Sequence, residues 1–169
     1  MPKRNWIVLI VIIVAIYTWQ RMSHDGPSLG EPDLRTFSSE DLDAAASTLV
    51  FGLSVVTTPA TCGRDHAAYP EATWRPVVDA WNDRNQALLE TVIRILEDTG
   101  AVRDRRRHED EAKRQVGERV ALWKGREAEA CGQFLDEIAG GRWDIARNPT
   151  TAGSVALIEA ASANEARRR

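Results

Sequence analysis

WRPVVDAWNDRNQALLETVIRILED, residues Trp74–Asp98, sets Trp74, Val77, Val78, Trp81, Asn85, Leu88, Leu89, Val92, Ile95 and Leu96 along one side of a helix of 3.6 residues per turn. The pattern predicts a helix that runs to about Asp98 and stops at Gly100. Pro70 suits its opening turn. Pro76 is tolerated near the start but would kink a helix interior, because its ring displaces a carbonyl and it lacks an N–H. Trp74 and Trp81 are both expected in the core of whatever this helix packs against.

Its partners are legible on either side. Ser38 or Ser39 caps a helix whose face carries Leu42, Ala45, Ala46, Leu49, Leu53 and Val56. The β-branched run from Thr48 frays this helix near Thr57, and Thr57–Tyr69, with Pro59 and Gly63, reads as a loop holding Cys62. Beyond Gly100, RDRRRHEDEAKR (Arg103–Arg114) is almost pure charge. It leads into the face Val116, Val120, Trp123, Glu127, Cys131, Phe134, Leu135 and Ile138, one long helix broken at Gly125 and ended by Gly140 and Gly141. A weaker helix with Val155 and Ile158 runs into the tail Arg167–Arg169. No strand pairs are needed. The expected fold is all-α: an N-terminal single transmembrane helix, then a small antiparallel three- or four-helix bundle.

The transmembrane expectation rests on WIVLIVIIVAIYTW, Trp6–Trp19, which has no charge and is framed by Lys3, Arg4 and Arg21. As a helix, residues 5–20 would rise roughly 24 Å against roughly 30 Å of hydrocarbon. Trp6, Tyr17 and Trp19 suit the headgroup layer, and Arg4 and Arg21 can extend to water, so the shortfall is tolerated. Tyr17 to Arg21 offer no pair of small residues for a signal-peptide cut, so residues 1–21 read as an uncleaved signal-anchor. The positive N-terminus stays cytoplasmic, and residues 22–169 face the periplasm from the inner membrane. Residues 22–37, mixing Gly, Pro, Ser and Asp, read as a flexible tether, residues 38–166 as the helical domain, and 167–169 as a basic tail.

Cys62 and Cys131 are the only cysteines, an even count suited to an oxidising compartment, and a disulfide is the expected state. Closing a loop of about 70 residues would stabilise the fold by roughly 4.4 kcal/mol. An antiparallel return from the second helix brings the two positions together, so bridge and topology support each other.

Functional classes are narrowed mostly by exclusion. The chain has net charge −3, and residues 1–21 hold three cations and no acid, so the remainder is more acidic still and no nucleic-acid partner is expected. Gly52-Leu53-Ser54-Val55-Val56 lacks the second glycine of a hydrolase elbow, and neither a phosphate loop nor an HExxH pair is present. Asp104, His108 and Glu111 share a helical face as a partial metal set. The pairs Arg105/Glu109, Arg106/Asp110 and Arg107/Glu111 make the same block a self-neutralised surface, and no metal or cofactor is expected. Asp65 and His66 beside Cys62 read as loop polar groups.

Asn85, on an apolar face, must find partners: it fixes helix register, or with Trp74 and Trp81 it lines a ligand groove. The leading expectation is a non-enzymatic, membrane-tethered module. It would hold lipid through residues 6–19 and bind another envelope protein or itself. The alternative is a periplasmic binding domain for a small molecule or cell-wall fragment. A carboxylate hydrolase has less support, because no pair of acids is placed by the sequence. No motif assigns the chain to a family.

Overall fold

In the computed structural model, Ser38 Oγ accepts the amide of Asp41 while the Asp41 carboxylate accepts the amide of Ser38, a reciprocal cap that opens helix α1 (Ser39–Asp65). The structure describes residues 37–66, 68–99 and 105–168, all within the unit Asp33–Arg169. The anchor expected at residues 1–21, most of the tether, and Asp104 lie outside the described residues. Four further helices follow: α2 (Glu71–Asp98), α3 (Arg105–Ala121), α4 (Glu127–Ala139) and α5 (Ala152–Arg168). No strand occurs among the described residues. The fold is a helical bundle, and α1 touches each of the other four helices.

Where the sequence predicts a loop from Thr57, α1 continues to Asp65 with Pro59 inside it. Proline removes the donor that would meet the Val55 carbonyl. Burial outweighs that loss, because Val55, Thr58, Pro59 and Cys62 are all enclosed by neighbouring helices. The hydroxyls of this β-branched run are also satisfied locally: Ser54 Oγ donates to Phe51 O and Thr58 Oγ1 to Ser54 O. Thr48 Oγ1 is the exception, buried without a partner among the described residues.

α1 is long and apolar enough to cross a membrane, with a mean hydropathy of 1.4 over its best window. Its place is nevertheless inside the bundle, where a polar row of Thr48, Ser54 and Thr58 would be costly against lipid and is instead covered by protein.

Two core clusters share α1 and α2. One gathers Phe37, Ala44, Ala45, Val92, Ile95, Leu96, Ile158 and Ala161, and the other Val55, Trp81, Phe134, Ile138, Ile145 and Val155. Of the face predicted for α2, Val78, Trp81, Asn85, Val92, Ile95 and Leu96 are buried and Trp74, Val77, Leu88 and Leu89 half-buried, Trp74 with Arg75 stacked 5.5 Å from its ring centre. Pro76 sits in the second turn, near enough to the Pro70 cap to be accommodated.

The long helix predicted to break at Gly125 is two helices, α3 ending at Ala121 and α4 starting at Glu127. The backbone turns through Gly125 at φ 85°, a conformation that costs a side chain but not glycine, and Glu127 accepts the Gly125 amide at 2.9 Å. α4 ends in a paired-carbonyl stop: Arg142 N donates to Glu137 O, and Gly141 N to Ile138 O, with Gly141 at φ 79°. Cys62, late in α1, and Cys131, early in α4, form a disulfide, their Cα atoms 5.9 Å apart. Both are buried.

Candidate functional site

Three clusters of polar side chains stand out, and two are occupied by the protein itself. The first lies where α2 meets the turn after α4. Trp81 Nε1 donates to Trp143 O at 2.8 Å, and the Asn85 amide donates to Trp81 O while its carbonyl accepts Ile145 N at 2.8 Å. Arg84 grips both oxygens of Asp144 through Nε and reaches Ile138 O through Nη2 at 2.7 Å. Asp144 is 7% exposed, so a buried carboxylate is matched by a guanidinium and an amide. Trp81 and Asn85 are thus both in the core, their polar atoms fastening residues 143–145 to α2. Trp74 stands apart, beside Gly63, where an added Cβ would lie 2.5 Å from the indole nitrogen. None of Trp74, Trp81 and Asn85 lines the groove described below.

The second cluster centres on Arg119. Its Nη1 donates to Thr58 Oγ1 at 2.6 Å and to Ser54 O, and its Nη2 to Ser54 Oγ. The guanidinium lies 5.1 Å from the Phe134 ring centre and 4.8 Å from that of Trp143. No carboxylate among the described residues pairs with it. Burial pushes its pKa down, and the hydroxyls and two ring faces stabilise the charge in place of an acid. Sequence reading passed over this residue because it sits in a charge-rich stretch. Its signal is spacing: Val116, Arg119, Val120 and Trp123 share one face.

The third cluster is open. A groove of about 790 Å³ runs between α1 and α3. Leu42, Ala46 and Val50 of α1, with Leu96 of α2, give it apolar walls. Asp43 and Ser47 edge it on one side, and Arg107, His108, Asp110, Glu111 and Arg114 on the other. The volume falls in the range of small-ligand sites. Among the described residues, no group of three His, Cys, Asp or Glu side chains converges as a metal site. His108 and Glu111 of the partial set both line the groove, and Asp104 lies outside the described residues.

The acids on the α3 side are already engaged. Asp110 pairs with Lys113 at 3.3 Å, and Arg114 binds both Glu111 and Glu118. The Arg114 hydrogen bond, helped by Gln115 and the charge of Arg107, holds the Glu111 carboxyl down at about 2. Its carboxyl resonance should titrate near pH 2, and Arg114→Gln should return it toward 4.5. Because the folded value lies below the unfolded one, whatever stability this group adds is complete above about pH 4.5 and is lost as the pH falls toward 2. The pair is exposed, so the NMR titration and not the melting curve is the readout.

Comparison with protein-family models, with curated proteins and with solved structures finds no match for this chain.

Proposed function

We propose that this chain is a membrane-tethered helical module of the bacterial envelope that acts through protein–protein contact and not through chemistry of its own. The observation that supports it most is the Cys62–Cys131 bond, which uses both cysteines of the chain and is of a kind that persists in oxidising compartments. Trp6–Trp19, with Lys3 and Arg4 before it, is then the span that delivers residues 22–169 to the periplasmic side of the inner membrane. α1 is not assigned that task, since its polar row is buried inside the bundle and two of its members, Ser54 and Thr58, bond Arg119.

The architecture proposed is an antiparallel bundle of core helices with α5 alongside. Core membership supports it: Ala44 and Ala45 of α1 share a cluster with Val92–Leu96 of α2, whereas Val55, further along α1, shares one with Trp81, earlier in α2.

Two surface positions lend themselves to the test. Leu122, on the turn after α3, is 81% exposed, and Arg107 stands on the groove rim. A photo-crosslinking residue at either position, in intact cells, should give one discrete adduct, with itself or with one envelope protein. The chain should sediment with membranes with its N-terminus intact, and neither sulfur should take a thiol label. Free thiols in the native cell, or the absence of any adduct from both positions, would overturn the proposal. A second reading, a binding domain for a small molecule or cell-wall fragment, is favoured by the groove alone.

A further inference from the structure

The groove between α1 and α3 differs from the other polar clusters in what it leaves unused. Asp110, Glu111 and Arg114 are neutralised within α3 by Lys113 and one another, so they contribute walls and little net field. Asp43, on the α1 edge, and His108, on the α3 edge, make no hydrogen bond or ion pair with another described residue. Arg107 acts on Glu111 only through its charge. An acid on one edge thus faces a guanidinium and an imidazole on the other, above an apolar surface of Leu42, Ala46, Val50 and Leu96.

Charge complementarity selects the occupant. A simple fatty anion would satisfy Arg107 and His108 but meet repulsion from Asp43. A cation would satisfy Asp43 and meet the guanidinium. A molecule with a carboxylate at one end, an amine at the other and apolar groups between satisfies all three charged or polar groups and the apolar floor, and the volume exceeds what one amino acid fills. We propose that this groove binds a short apolar peptide with both termini free, its carboxylate toward Arg107 and His108 and its amine toward Asp43. The inference deepens the second reading, a binding domain for a small molecule, by naming the chemistry of the ligand, and it rests on the membrane-tethered reading only for the setting in which such a peptide is met.

The test uses the full chain in lipid nanodiscs and isothermal titration with the tripeptide of leucine, protein-free discs being subtracted. The free tripeptide should bind saturably at one site. Amidating its carboxylate, or the substitution Arg107→Gln, should weaken binding by about tenfold or more, as should acetylating its amine or the substitution Asp43→Asn. Each substitution lies on an exposed edge, and an unchanged melting temperature confirms that folding is intact. Because each change removes one charge, the amidated peptide should lose little further affinity on Arg107→Gln, which a merely structural role for Arg107 would not produce. Equal binding of free and capped peptides, equal binding of decanoate, or no saturable heat would overturn the assignment. Adducts at Leu122 in cells would survive that failure, so the peptide assignment and the wider interaction reading fall separately.

Discussion

The double variant Cys62→Ala/Cys131→Ala should unfold about 4 kcal/mol more easily than the native chain, and reductant should bring the native chain to the same level. The bond ties the end of α1 to α4 across 69 positions of sequence, so cutting it releases a long stretch of the unfolded chain. Both cysteines are 2% exposed, and alanine in place of both leaves no unpaired thiol behind. Urea unfolding followed by circular dichroism measures the change as a lower midpoint and a steeper slope, because the uncrosslinked denatured chain exposes more surface. A loss below about 1 kcal/mol would mean that packing between α1 and α4 holds those ends together unaided.

Trp81→Ala carries a similar expected loss, about 4 kcal/mol, from a different source. Trp81 is the largest fully enclosed side chain, packed among Val55, Phe134, Ile138 and Ile145, and its ring nitrogen is bonded to Trp143 O. Alanine leaves a cavity and an unanswered carbonyl. Trp81→Phe restores much of the volume but not the donor, and should cost about 1–2 kcal/mol. The gap between the two variants separates packing from hydrogen bonding. If Trp81→Phe were as damaging as Trp81→Ala, the bond to residue 143, and with it the clamp on residues 143–145, would be the dominant contribution.

The sequence made α2 legible because its period is unbroken from Val77 to Leu96 and its caps lie in plain view. The all-helical class and the burial of Asn85 follow from similarly local signals, and the pairing of Cys62 with Cys131 from their being the only two cysteines. α1 was cut short in the reading because Thr57, Thr58 and Pro59 are poor helix formers taken alone. What carries the helix through them is Arg119, arriving from a distant part of the chain to bond Ser54 and Thr58, together with burial of the proline itself. Propensity cannot see such a partner. The break in residues 101–139 was legible at Gly125, and the backbone adds that this glycine turns left-handed.

The candidate site was less legible still. Asp144 emerges only when the turn after α4 folds back on α2, and the groove is assembled from Leu42–Val50, Leu96 and Arg107–Arg114, segments with no periodicity in common. His108 and Glu111 were noticed for a metal. The structure places them on the rim of a groove whose opposite edge, Asp43, lies on another helix and offers no local signal at all.

One architectural feature bears on how the domain comes apart. Because α1 is the common neighbour of α2, α3, α4 and α5, no half of the bundle can open while the remainder keeps a complete interior. Its central amides should therefore be the slowest to exchange with deuterated solvent, released only when the entire molecule melts, while the outer turns of α5 trade their protons through small local fluctuations.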